Sequence, residues 1–398
     1  MKSYIGGRPV FHSWQIFGVK LNEKDIFPLN QERRFYYFSA RYALAAGIRA
    51  LGIKPGDTVL LPSYNCGAEI DPILHMKIRP VFYKIGKNLD VDCNDIVRKI
   101  TADVKAILVT HFLGFPQPVD QIEQICTEKN LFLIEDCAHA LLSNYNGRPL
   151  GSYGDASIFS LLKTLPVPNG GVLVINNANI DYRHYSVKPN LFATSFYAAE
   201  LLKHKTYGNE SSTKENILRI LSNVVFFPLS SVRLMFAAFR KYLNPKGLYL
   251  VKPDSYLCRE NLQSWGISNL SKRIIDRTHF EELRSFRRRN FEYLLSHFLK
   301  NERGILPFKK LPAGVCPLFF PIILESPEQR RRLYETLKAR GIITHPWWDG
   351  FHPEVPWNEY PDAAYLKQRV FGLPIHQDLT YEHLEQVIKE FEKAYQKI

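Results

Sequence analysis

A carboxylate closing an apolar run and a lysine 27 residues later are the residues of this sequence best placed to do chemistry together. In LFLIEDCAHA (131–140) the apolar stretch ends in Glu135 and Asp136, and His139 follows three residues on. In FSLLKTLPVPNGG (159–171) Ser160 leads to Lys163, then to a Pro- and Asn-containing loop that closes on Gly170 and Gly171. A strand-end aspartate sits on the ligand-binding edge of a parallel sheet and can pair with a protonated ring nitrogen. A lysine held unprotonated is a nucleophile. Paired glycines beyond it let the backbone approach something bulky. The combination suits pyridoxal phosphate, with Lys163 forming a Schiff base and Asp136 holding the pyridine nitrogen protonated. Taken singly, such an aspartate is usually a cap or loop residue and such a lysine a surface residue.

A phosphate cup is expected from Ser39 as N-cap of a helix over 41–51, since free N–H groups and the helix dipole bind phosphate there. Arg41 adds a charge-assisted bond. His111, Tyr145, His345, Trp347 and Trp348 are candidates to line a sugar pocket, with simple packing as the alternative for the tryptophan pair in HPWWDGFH. No P-loop, HExxH or nucleic-acid-binding module is present, and no metal site is expected. The six cysteines (66, 93, 126, 137, 258, 316) form no CxxC pair, which suits a reduced compartment.

These residues need elements to position them. Strands are expected at 34–39, 58–61, 80–85, 106–112, 131–136, 157–161 and 171–176. Helices are expected at 41–51, 68–76, 94–100 and 119–128. The alternation argues for a mostly parallel α/β sheet with helices on both faces. The pattern changes near 180. Residues 181–300 read as helical, basic and aromatic, and hold 20 Lys/Arg against 10 Asp/Glu. Within them 216–243 could lie on a membrane interface as an amphipathic pair or serve as a core or subunit contact. From about 305 a strand (317–324), a helix (328–340), a strand starting 341–348 and a closing helix (381–398) suggest a smaller C-terminal domain. The division expected is therefore 1–180, the main part of the cofactor domain; 181–300, the basic segment; and 301–398, the small domain.

The chain has 398 residues, 45% apolar and 23% charged, which excludes wholesale disorder. Its net charge of +13 lies mostly in 181–300. No secretory signal and no spanning apolar run is evident, so a cytoplasmic location, with membrane association through 216–243, is expected.

The chain resembles the DegT/StrS-type family of pyridoxal-phosphate-dependent sugar aminotransferases. The resemblance rests on IEDCAHALLSNYNGRPLGSYGDASIFSLLKTLPVPNGGVLVIN, with RALGIKPGDTVLLPSYNCGAEID, IRPVFYKIGKNLDVD and LPIHQDLTYEHLEQVIKEF in the same order. It implies the three-layer αβα transferase fold of type I with a smaller C-terminal α+β domain. It implies Lys163 as the Schiff-base lysine and proton shuttle, Asp136 on the pyridine nitrogen, His139 beside the ring, and Ser160 with the backbone of Ala40 and Arg41 on the phosphate. It also implies a homodimer. The departures are specific. Ala40-Arg41 stand where the family has Gly-Thr or a similar pair, and two residues are missing between Ser160 and Lys163. Cys66 falls where an aromatic usually covers the ring, with Tyr64 as a substitute. The family's Asn-Tyr-Arg-Met-Ser stretch, which reaches the partner's site, aligns with 264–268, where its Asn and Arg are absent.

The expected reaction is transamination of a keto-sugar, nucleotide-linked as the resemblance implies, with an amino acid such as glutamate as donor, in amino-sugar or cell-surface polysaccharide synthesis. Two alternatives stay open on sequence grounds. One is another pyridoxal phosphate chemistry on the same fold, a dehydratase or acyl transfer. The other is a cofactor-holding regulator or membrane-docked scaffold.

Overall fold

The computed structural model describes residues 4–21, 26–189, 263–348 and 350–397, with single positions 194, 198 and 201. A short helix α1 (Trp14–Phe17) precedes the main sheet. Then come β1 (Arg34–Tyr37), α2 (Ala40–Ala50), β2 (Thr58–Pro62), α3 (Ile70–His75), β3 (Arg79–Tyr83), α4 (Cys93–Lys99), β4 (Val104–Thr110), α5 (Val119–Lys129) and β5 (Phe132–Asp136). A hairpin of β6 (Asn144–Tyr145) and β7 (Arg148–Pro149) follows, then β8 (Ala156–Ser160), α6 (Leu161–Thr164) and β9 (Gly171–Ile175). Most expected boundaries lie within two residues of these.

Seven of the strands form one sheet in the order β1-β9-β8-β5-β4-β2-β3. Five of them, β3, β2, β4, β5 and β8, run parallel; β9 opposes β8 and β1. Every residue of β2, β8 and β9 is buried. That is why these strands read as unbroken apolar runs: both faces of the sheet are covered. α2 packs on β8 and β9 through Ala43, Ala46 and Gly47, small residues that let the helix lie close to the sheet.

The topology places one edge under particular control. β1, β2, β4, β5 and β8 all end at the same edge, so the segments after them (38–41, 63–66, 111–117, 137–143 and 161–165) gather there. Because β9 is reversed, its first residue, Gly171, lies at that edge too, opposite Tyr37 on one side and Ser160 on the other.

After the basic segment come α7 (Asn269–Ile275) and α8 (Phe280–Asn301). The C-terminal unit holds β10 (Phe320–Ile323), α9 (Pro327–Ala339), β11 (His345–Pro346), α10 (Pro361–Arg369), β12 (Val370–Leu373) and α11 (Tyr381–Tyr395). Its antiparallel sheet has the order β10-β12-β11. The strand expected to start at 341 is reduced to two paired residues, because Pro346 cannot donate to a ladder. A second apolar cluster of Phe291, Phe298, Phe320, Phe371 and Phe391 holds this unit together. α8 contributes Phe291 and Phe298, so the small unit takes in a helix that the division at 301 assigned to the basic segment. Residues 216–243 and Cys258 lie outside the described residues.

Candidate active site

Asp136 ends β5 and is buried. One carboxylate oxygen accepts the Ala138 N–H at 2.8 Å; the other takes part in no hydrogen bond among the described residues. Burial is the main force pushing its acidity up to about 6, and the nearby Glu69 carboxylate adds to it; the charge of Lys163 and the Ala138 N–H oppose them. Lys163 therefore lies within electrostatic reach of Asp136. It stands on α6, a single turn that begins where β8 ends, with Nζ 5.8 Å from the centre of the Trp347 ring.

His139 is fully enclosed. Its Nδ1 accepts the Leu113 N–H at 3.3 Å, which leaves the proton on Nε2. Burial, with Lys163 second, holds its pKa well below the ordinary histidine value, so the imidazole is a neutral donor. Trp347 and Trp348 flank it, with ring centres 5.2 and 5.3 Å away. Tyr64 closes the group from the β2 end. Its hydroxyl donates to the Trp347 carbonyl at 2.8 Å, and its ring lies 4.9 Å from Trp348 and 5.4 Å from Phe112. The pocket wall is thus shared between the large sheet and the small unit.

The start of α2 supplies the second half of the site. Ser39 occupies the N-cap position in an extended conformation, but its hydroxyl does not cap the helix, nor does that of Ser160 cap α6. The Ala40 and Arg41 N–H groups are among those a helix start leaves without intrahelical partners. Gly171 fits underneath. A Cβ there would come within 2.2 Å of the Ser39 carbonyl carbon and 2.5 Å of the Ala40 nitrogen. Two serine hydroxyls, helix-start N–H groups, a buried carboxylate and an amine share one edge, and this donor set fits an aldehyde-bearing pyridine phosphate.

Cys66 stands at the β2 end, its thiol donating to Glu69 Oε2 at 3.1 Å and its N–H to Oε1 at 3.3 Å. Burial and the Glu69 charge push the thiol well up, so it is a protonated thiol. Glu69, a buried carboxylate, was not among the expected residues. In GAEIDPILH it reads only as an acid in a first helical turn.

Two expectations need correcting. His111 does not line a pocket: it is wholly buried, its Nδ1 accepts the Gln117 N–H at 3.1 Å, and its Nε2 donates to Glu135 at 3.1 Å. Neither nitrogen is left for a sugar. His345 also turns its Nε2 elsewhere, to the Gly7 carbonyl at 3.0 Å, while its ring packs 4.3 Å from Phe319. Glu135, with His111 and Cys137 close by, resembles a metal cluster in composition. Its oxygens, however, already accept N–H groups of Gly151, Tyr153 and Gly154 at 2.7 Å each, plus His111. All four acceptor positions are filled, so this is a structural hub that pins the 151–154 loop to β5. The 264–268 stretch packs within its own chain. The Trp265 carbonyl accepts the Phe38 N–H, and Asn169 bonds both the Gly266 carbonyl and the Ser268 N–H.

Comparisons with known proteins agree with this geometry. The family described as DegT/DnrJ/EryC1/StrS aminotransferases matches residues 37–210 and 276–392. GDP-perosamine synthase of Vibrio cholerae is 37% identical over 138 residues, 34% of this chain and 38% of that protein. The chain is thus aligned with about two fifths of that relative's length. The dTDP-4-dehydro-2,3,6-trideoxy-D-glucose 4-aminotransferase of Saccharopolyspora spinosa is 24% identical over 379 residues, covering 92% of this chain and 85% of the relative. Among solved structures, the Helicobacter pylori aminotransferase PseC, involved in pseudoaminic acid biosynthesis, superposes with a TM-score of 0.66 at 14% identity, covering 100% of both chains.

Proposed function

This chain belongs to the DegT/DnrJ/EryC1/StrS aminotransferase family, and from that premise we propose that it is a pyridoxal-phosphate-dependent aminotransferase acting on a nucleotide-linked keto-sugar, with an amino acid such as glutamate as donor. The observation that carries the reading is the meeting of Asp136, Lys163 and the α2 start on one sheet edge. Bound there, pyridoxal phosphate supplies an aldehyde that takes up an amino group and a ring that accepts the electrons released at the neighbouring carbon.

The chain's own residues do the rest. The uncommitted Asp136 oxygen would pair with a protonated ring nitrogen and offset its charge. The Ala40 and Arg41 N–H groups, with the Ser39 and Ser160 hydroxyls, hold phosphate. Lys163 Nζ would hold the aldehyde carbon and would be the base that moves a proton beside it. His139, a neutral imidazole with its proton on Nε2, would lie beside the ring as a hydrogen-bond donor. Trp347 and Trp348 exclude water and offer an aromatic wall to the acceptor sugar. Cys66, within electrostatic reach of Lys163, would be the side chain near the ring where an aromatic is expected, with Tyr64 as the substitute.

The remaining parts of the reading are a homodimer, a cytoplasmic location and a peripheral membrane contact through 216–243. No helix among the described residues is long and apolar enough to cross a membrane. Light scattering tests the dimer and liposome co-sedimentation the contact. The reaction itself is tested by adding pyridoxal phosphate to the purified chain. A visible absorbance band that bleaches with glutamate is expected, and Lys163→Ala abolishes the band. A chain that takes up no cofactor overturns the reading.

A further inference from the structure

The turn that carries Lys163 is short of internal support. α6 spans only four residues, and the Leu165 N–H donates to the Leu161 carbonyl across it at 2.8 Å. The carbonyl that closes the turn, that of Thr164, is met from outside. Arg287 Nη2 and Gln377 Nε2 both donate to it at 3.3 Å. Arg287 is fixed in turn: Nε donates to Gln377 Oε1 at 3.1 Å, and Nη1 to the Leu318 and Pro317 carbonyls at 3.1 and 3.4 Å. It is among the largest fully enclosed side chains, and its guanidinium donates to three carbonyls and an amide. A planar, always-charged fork is the side chain that can serve four acceptors at once.

We propose that Arg287, with Gln377, is a positioning residue for Lys163, clamping the short turn to the small unit so that the lysine's Nζ is presented to the cofactor's aldehyde carbon. This rests on the cofactor reading above. The clamp reaches the turn from α8 and from the segment after β12, and it also grips 317–318 just ahead of β10. The small unit and the reactive amine are thereby held in one register.

The test compares Arg287→Met and Arg287→Lys with the parent in the full chain. Pyridoxamine phosphate, which has no aldehyde and needs no lysine, measures binding of the cofactor's body. Pyridoxal phosphate followed by borohydride reduction and peptide mass spectrometry measures attachment to Lys163. Arg287→Met is expected to bind pyridoxamine phosphate within about twofold of the parent while attaching pyridoxal phosphate at least about tenfold more slowly, with Arg287→Lys between the two. Hydrogen exchange at Leu165 in the cofactor-free chain is expected to rise at least about tenfold, and this arm reads the clamp whether or not the cofactor reading stands. If neither Arg287 variant folds, Gln377→Leu removes one donor from the same carbonyl and is expected to move both readouts the same way. Attachment at the parental rate, an equal loss of both cofactor forms, or unchanged exchange at Leu165 overturns the proposal. A parent that binds neither form, with exchange still altered in the variant, overturns the cofactor reading and leaves the clamp standing.

Discussion

Gly171 lies directly beneath Ser39: a side-chain carbon on the glycine would sit 2.2 Å from the serine's carbonyl carbon. The contact is backbone against backbone, so no rotamer change relieves it. It sets the height of the α2 start above the sheet, and with it the N–H groups offered to phosphate. Gly171→Ala is therefore expected to lift that helix start. The predicted loss is about 1–3 kcal/mol of stability, read from urea denaturation, together with weaker retention of pyridoxal phosphate in equilibrium dialysis. Normal retention in the folded variant would show that the cup lies elsewhere.

Asp136 opposes stability to the same degree that it is poised for a cation. Burial and Glu69 raise its pKa from 3.8 to about 6. The folded chain then binds more protons than the unfolded chain between those values, so stability falls as pH rises from about 4 to about 6. A shift of about two units corresponds to about 3 kcal/mol in the absence of cofactor. Cofactor-free Asp136→Asn, which keeps the bond from the Ala138 N–H, is expected to be more stable than the parent at pH 7 by up to that amount, with the advantage gone below about pH 4. Transamination is expected to drop by about 10²-fold or more. Thermal melts across pH, alongside a glutamate half-reaction, check both. A variant that is active and no more stable would remove Asp136 from its assigned role.

The Glu135 hub makes a contrasting prediction. Glu135→Gln places an amide NH₂ against N–H donors that now meet a carboxylate oxygen. Breaking a fully bonded buried carboxylate network is expected to destabilise by about 3–5 kcal/mol. His111→Asn is expected to lower stability by about 1–3 kcal/mol through Gln117 and Glu135, with no change in KM for the sugar in the folded enzyme. A raised sugar KM at unchanged stability would return His111 to the pocket.

The site was legible where a residue's role follows from its strand. Asp136 is readable because LFLIED is an apolar run closed by two acids, and a strand buried on both faces reads as mostly apolar. Ser39 reads correctly as an N-cap position, but whether its hydroxyl caps the helix is a rotamer question the sequence does not pose. His111 was misread because its partner, Glu135, is 24 residues away and meets it only through the pairing of β4 with β5. Arg287 was hidden among three consecutive arginines, 287–289, of which only the first is fully buried by the turn of α8. Glu69 could not be told from a surface acid, since its burial depends on which strands are neighbours. Contacts across the sheet and between units are set by tertiary packing, and a single sequence carries little trace of them.

Tyr64 ties the two walls of the pocket through one hydroxyl, which meets the Trp347 carbonyl at 2.8 Å. Burial pushes that hydroxyl well above the usual tyrosine range, so it remains a donor at any working pH. Tyr64→Phe keeps the ring contacts with Trp348 and Phe112 but leaves a carbonyl without its donor, at a cost of about 1 kcal/mol in stability. The functional effect is expected to be asymmetric. The amino donor is small and reacts beside Lys163, so the glutamate half-reaction should change by no more than about twofold. The proposed sugar acceptor is larger and, on the proposed reading, rests on the tryptophan wall. Its half-reaction is therefore expected to slow by about tenfold, the equivalent of one lost hydrogen bond's worth of alignment. Stopped-flow absorbance of the two half-reactions separates them. Equal slowing of both would place Tyr64 with the cofactor and detach Trp347 and Trp348 from sugar binding.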